Sequence, residues 1–235
     1  YWHTRTDDDA VLPYTEGKAR NKAEFQRLAG LEVDPDAPVF FWPSRIARPQ
    51  KGFELLLAIL PSLIAYHRKL QVAVVANGDL GLIHQIERLA RDFAGRVSYR
   101  AFDRRLSQQG KAGSDFLLMP SLYEPCGIPQ VEGPRYGTLP IVRRTGGLAD
   151  TVEHLSENGI SGNGFVFNDY LPDGLWFAID EALRFYGKEP RFRQRVRRRV
   201  IRENFERFNI TVTARKYIDC YQAIFERSDP SIRVI

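Results

Sequence analysis

Val39-Phe40-Phe41-Trp42-Pro43 is a short apolar run. It leads into a polar loop, Ser44-Arg45-Ile46-Ala47-Arg48-Pro49-Gln50-Lys51-Gly52, then Phe53 to Tyr66 with apolar residues at helical spacing, then a second strand-like run from Leu70 to Ala76. Strand, helix and strand in that order make a βαβ unit, whose two strands lie parallel. The same alternation continues outward. Leu82 to Phe93 reads as helix, Val97 to Ala101 as strand, Phe116 to Met119 as an apolar run, Gln130 to Tyr136 as helix and Leu139 to Val142 as strand. Next come helix Leu148 to Leu155 and strand Phe165 to Phe167, then helices Leu175 to Tyr186, Arg191 to Phe205 and Val212 to Phe225. Upstream, a helix from Lys18 to Leu28 stops at Gly30, before the turn Asp34-Pro35-Asp36-Ala37-Pro38. Strands that are apolar throughout, without polar alternation, are covered on both faces. The expected fold is therefore α/β, a doubly wound parallel sheet. We divide the chain into a polar, Asp-rich lead-in at residues 1–17, one domain at 18–187 and C-terminal helices at 188–235.

Hydrophobic residues make up 43% of the 235, enough to fill a core of one large domain. Lys and Arg number 34 against 29 Asp and Glu, a net charge of +5 that suits phosphate-bearing ligands. The excess concentrates between Lys188 and Arg207. Phe192, Val196, Val200 and Phe205 recur there at helical spacing, so the arginines are expected on the wet side of an amphipathic helix and not on a nucleic acid. Cys126 and Cys220 stand far apart, which argues against a disulfide scaffold or zinc site and fits a reducing cytoplasm. The histidines His3, His67, His84 and His154 have no metal-ligand spacing, so no metal or other cofactor is expected. No apolar run approaches the roughly 20 residues of a membrane span. The start at Tyr1-Trp2-His3, without an initiator Met, reads as that of an excised fragment.

In a doubly wound sheet, ligands bind outside the carboxyl ends of the strands, so the residues just after each strand carry the functional signal. After the first strand come Arg45 and Lys51 on one loop, a planar fork and a point charge suited to a diphosphate, with Gly52 allowing close backbone approach. After the second, Asn77-Gly78-Asp79 is a glycine turn opening a helix. After the fourth comes the densest loop, Pro120-Ser121-Leu122-Tyr123-Glu124-Pro125-Cys126-Gly127-Ile128-Pro129-Gln130-Val131-Glu132. Its two carboxylates could be an acid and base pair, two ligand-binding groups, or a cap and a solvated side chain. After the fifth, Arg144-Thr145-Gly146-Gly147-Leu148 puts two glycines and a hydroxyl where a helix begins.

These signals fall in the order Lys18-x-x-Asn21-Lys22, Arg45…Gln50-Lys51-Gly52, Gly78-Asp79, Gly113-Ser114-Asp115, Pro120-Ser121-x-x-Glu124-Pro125-Cys126-Gly127, Arg135-Tyr136-Gly137-Thr138-x-Pro140 and Thr145-Gly146-Gly147-Leu148-x-Asp150-Thr151-Val152. That order is similar to bacterial glycogen synthases and plant starch synthases, over residues 1 to about 187. The resemblance implies a Rossmann-like domain, the C-terminal half of a two-domain GT-B glycosyltransferase. It implies retaining transfer of glucose from ADP-glucose to the non-reducing end of an α-1,4-glucan, the glucan being held mainly by an N-terminal domain. It also implies that the fragment alone transfers little.

By the same resemblance Arg45 and Lys51 meet the ADP phosphates, and the Thr145-Gly146-Gly147-Leu148 turn offers amides to the distal one. Glu124 meets the transferred glucose, Phe102 stacks on the adenine, and Glu132 is assigned to the ribose. Gly52, Gly78, Asp79 and Gly127 shape the donor site. Cys126 either touches the glucose or packs, buried, in a tight turn, and Tyr217, Tyr221 and Phe225 either return toward the other domain or pack in an ordinary core. The expected setting is the cytoplasm, or the plastid stroma in a plant, with neither membrane nor nucleic acid as partner. The rival readings are a non-catalytic nucleotide- or glucan-binding module and a sucrose- or trehalose-type glycosyltransferase domain.

Overall fold

The computed structural model describes residues 14–228, so the lead-in Thr6 to Ala10 and His3 lie outside the described residues. Six strands, β1 (Val39–Trp42), β2 (Gln71–Val75), β3 (Val97–Arg100), β4 (Phe116–Met119), β5 (Leu139–Arg143) and β6 (Phe165–Phe167), form one sheet in the order β3-β2-β1-β4-β5-β6. Every pairing is parallel. β1 lies at the centre and all four of its residues are buried, because both faces of the sheet are covered. Alternate side chains still part company. Phe40 and Trp42 join the larger core with Phe116, Leu118 and Phe53, whereas Val39 and Phe41 pack with Phe25 and Ala29. The doubly wound α/β expectation holds. Strand order reverses between β1 and β4, which opens a crevice at their carboxyl ends.

The helices are α1 (Tyr14–Ala29), α2 (Phe53–Tyr66), α3 (Leu80–Asp92), α4 (Arg104–Gly113), α5 (Pro129–Glu132), α6 (Gly146–Thr151), α7 (Pro172–Tyr186), α8 (Pro190–Arg207) and α9 (Ile210–Ser228). α2 packs between α3 and α7, and α1 packs on α4. α4 has no counterpart among the sequence expectations. Its segment, Arg-Arg-Leu-Ser-Gln-Gln-Gly-Lys-Ala-Gly, is polar and glycine-bearing, yet Asp103 caps it by accepting Leu106 N–H at 2.6 Å. The glycines are packing residues. A Cβ on Gly110 would lie 2.7 Å from the Phe41 ring, and one on Gly113 would lie 2.5 Å from Asn21 O. α6 stops at Thr151 instead of reaching Leu155, because the Asn163 side chain donates to Thr151 O at 2.9 Å and accepts Glu153 N–H at 2.8 Å.

Two expectations about the C-terminal helices need correction. Arg197 is not on a wet face. It is buried beside Asp115, with Nη2 at 2.8 Å from Oδ1, while Lys22 Nζ holds the other oxygen at 2.9 Å. Burial alone would raise the Asp115 carboxyl, but Lys22 and Arg197 outweigh it and hold it down at about 2. Tyr217, Tyr221 and Phe225 do not pack in a core of the described residues either. Each is more than half exposed on α9.

Candidate active site

The loops at the carboxyl edge are laced into one belt. Ile46, after β1, donates its N–H to Asn77 O after β2 and accepts Asp79 N–H, both at 2.9 Å. The Asn77 side chain in turn accepts Phe102 N–H, after β3, at 2.9 Å. On the other side, Leu122 N–H, after β4, reaches Gln50 O at 3.0 Å, and Gly147 N–H, after β5, reaches Glu124 O at 2.9 Å. Glycine is what lets these backbones approach. A Cβ would lie 1.9 Å from Ile46 O at Gly78, 2.1 Å from Pro120 O at Gly52, 2.2 Å from Glu124 O at Gly146 and 2.1 Å from Cys126 O at Gly147.

Within the belt, Lys51 Nζ lies 2.5 Å from Glu124 Oε2, a pair whose side chains are 12% and 9% exposed. Ser121 Oγ adds a longer contact to the same oxygen at 3.3 Å. A near-buried ammonium beside a near-buried carboxylate places an anion-binding group and a hydroxyl-binding group a single contact apart. Arg45 lies on the same loop, exposed, its Nη2 held by Gln50 Oε1 at 2.9 Å. Phe102 sits at the far end of the belt, 54% exposed, so its ring face is open for stacking.

Several of the expected ligand groups are engaged in holding the fold. Asp79 caps α3, accepting Leu82 N–H at 2.9 Å, and faces Arg48 at 3.5 Å. Gly127 turns the chain at φ +71° toward the Gln130 side chain. Of the Thr145-Gly146-Gly147-Leu148 turn, the Gly147 amide goes to Glu124 O and the Leu148 amide to Thr145 O, and the Leu148 side chain is fully buried. Cys126 is exposed, which removes the buried-packing alternative for its thiol. Glu132 finds a different lysine. Its carboxylate is held at 2.5 Å by Lys111 Nζ in the last turn of α4.

Arg143 and Tyr170 were not anticipated. Arg143, the last residue of β5, donates Nε to Ser121 O at 2.9 Å, Nη1 to Asn168 O at 3.2 Å and Nη2 to Leu122 O. Its guanidinium lies over the Tyr170 ring at 5.7 Å, and the Tyr170 hydroxyl bridges Pro49 O at 2.8 Å and Glu54 at 2.9 Å. Burial and the Glu54 carboxylate push this phenol up, so it stays a protonated donor. The two residues brace the Lys51 loop against the Glu124 loop. An arginine closing an otherwise apolar strand was the available signal.

The family model for glycosyl transferases group 1 matches residues 29–199. The chain belongs to this family. Among relatives of this group 1 domain, the glycogen synthase of Rhodospirillum rubrum is 39% identical over 210 residues, which cover 87% of the chain and 42% of that protein. A glycogen synthase of Anaeromyxobacter dehalogenans is 42% identical over 189 residues, 80% of the chain and 39% of that protein. The catalytic domain of starch synthase IV from Arabidopsis thaliana, solved with ADP and acarbose bound, superposes with a TM-score of 0.73 at 26% identity, over 94% of the chain and 46% of its own. The chain thus spans somewhat less than half the length of the relatives it matches. Among the described residues, no helix is long and apolar enough to cross a membrane.

Proposed function

We propose that the chain is the donor-binding, C-terminal half of a glycogen or starch synthase, and that in the longer protein it moves glucose from ADP-glucose, with retention, to the non-reducing end of an α-1,4-glucan. The observation that carries the reading is the Lys51–Glu124 contact at 2.5 Å. A phosphate on Lys51 and a glucose hydroxyl on Glu124 put the sugar–phosphate bond directly over the pair. When that bond breaks, its electrons leave with ADP, and Lys51 and Arg45 stabilise the charge that develops on the leaving phosphate. The acceptor hydroxyl attacks the anomeric carbon from the same face and its proton passes to the departing phosphate oxygen. No protein nucleophile is needed, so the rate rests on positioning and on preorganised charge.

Glycogen synthase relatives and the ADP-bound starch synthase neighbour support this reading over a module without chemistry. Arg45, Lys51 and Glu124, all in place on the belt, support it too. The acceptor and most of its contacts are assigned to the other half of the protein, and the reading takes the cytoplasm as its setting and needs no metal. The test is glucan elongation by the full-length protein, run with ADP-glucose and with UDP-glucose, for the wild type and Glu124→Gln. Elongation with ADP-glucose that collapses in the variant is expected. Undiminished elongation by Glu124→Gln, or none with ADP-glucose, would sink the assignment.

A further inference from the structure

Among the described residues, the cavity at the opposite end of the sheet is lined by several basic side chains and one carboxylate, Asp115. Asp115, just ahead of β4, gives one oxygen to Arg197 at 2.8 Å, and the other to Lys22 at 2.9 Å and Val39 N–H at 3.1 Å. Lys18, buried in the same group, is bonded to neutral oxygens: Ala112 O at 2.9 Å, and Ser114 O and Thr138 Oγ1 at 2.6 Å. Arg193, one turn before Arg197 on α8, lies over the Tyr186 ring at 4.6 Å and meets no carboxylate among the described residues. Like charges one turn apart on a helix repel. Burial, and after it the nearby Arg197, pushes Lys18 well below the ordinary lysine value.

Lys18, Lys22, Arg193 and Arg197 line this cavity of about 150 Å³ between α1 and α8, together with Asp115, Tyr186 and Thr15. A single water requires roughly 15 Å³, so a tetrahedral oxyanion has room. Among the described residues, the Nε groups of both Arg193 and Arg197 lack an acceptor. Arg197 spends one Nη on Asp115, and Arg193 lies against the Tyr186 ring. We propose that this cavity binds a small tetrahedral oxyanion of the phosphate type, held by Arg193, Arg197 and the Thr15 hydroxyl. It is a separate site from Lys51 and Glu124, since the length of β4 lies between Asp115 and the carboxyl edge. The proposal does not depend on the donor reading. Occupancy stabilises the fold by linkage.

The test is calorimetric titration of inorganic phosphate into the wild type, Lys51→Ala, Arg193→Gln and Ala19→Glu. Ala19 is on the cavity wall, so the glutamate brings a carboxylate to where the anion would sit. The expected result is one site in the wild type, kept in Lys51→Ala, weakened about tenfold or more in Arg193→Gln and lost in Ala19→Glu. A hexose phosphate is expected to bind no tighter than inorganic phosphate. The proposal is overturned by no binding to the wild type, by binding that vanishes in Lys51→Ala, or by binding untouched in Arg193→Gln or Ala19→Glu. Tighter binding of the hexose phosphate would overturn the assignment to a bare oxyanion.

Discussion

Gly52→Ala tests the geometry on which the site rests, because Gly52 stands where the Lys51 loop meets the Glu124 loop. Its φ of +70° is left-handed, a conformation that costs an alanine about 1–2 kcal/mol. The added Cβ would lie 2.1 Å from Pro120 O, 3.0 Å from Pro120 C and 3.3 Å from the Tyr170 ring. An ordinary carbon–oxygen contact is about 3.3 Å, so the two backbones must part by about 1 Å. Overpacking of this kind costs about 1–3 kcal/mol, while the stiffer unfolded chain returns about 0.4–1 kcal/mol. The net expectation is a loss of about 2–4 kcal/mol in urea unfolding, together with weaker ADP binding by calorimetry, as Lys51 and Glu124 are pushed apart. Gly187→Ala is the control. Its φ is −73° and its Cβ would meet nothing closer than 3.5 Å, so it should be neutral or slightly stabilising. If Gly52→Ala unfolds within about 0.5 kcal/mol of the wild type and binds ADP equally well, the loops are not held as tightly as argued.

Asp115→Asn should cost about 3–5 kcal/mol in urea unfolding at neutral pH, because it leaves Lys22 and Arg197 buried without their counter-ion. The same carboxylate predicts an acid limb. Its pKa falls from the ordinary 3.8 to about 2 on folding, so its contribution is present above 3.8 and lost as pH drops toward 2. Urea midpoints across that range should fall by roughly 2 kcal/mol equivalent in the wild type, and Asp115→Asn should lack that share of the fall. Glu132→Gln breaks a pair whose carboxylate is 44% exposed. It should cost under about 1 kcal/mol and leave ADP affinity unchanged; weakened ADP binding would put Glu132 in the donor site.

The sheet was legible because its strands are short, wholly apolar and separated by helical periodicity, as in Val39–Trp42 followed by Phe53–Tyr66. α4 was not, because Gly110 and Gly113 look like breakers in a polar stretch, whereas they clear space for Phe41 and α1. Arg197 was misplaced for the opposite reason. The six arginines between Arg191 and Arg199 look alike in sequence, and only the fold says which of them reaches Asp115. At the site, the resemblance pointed to Lys51 and Glu124, residues 73 positions apart that the fold brings into contact. Spacing could not tell Glu124 from Glu132, because what separates them is the partner each finds, Lys51 for one and Lys111 for the other. Arg143 and Tyr170 went unseen because a brace between loops has no local motif.

The central claim is that the Lys51–Glu124 pair marks the junction of phosphate and sugar, and ADP binding to the chain, wild type against Lys51→Ala, tests it most directly. A charge-assisted contact to phosphate is worth about 1.5–3 kcal/mol. Calorimetry should therefore find ADP bound by the wild type and bound about tenfold or more weakly by Lys51→Ala. Equal affinity in the two proteins, or no ADP binding by the wild type, would contradict the account.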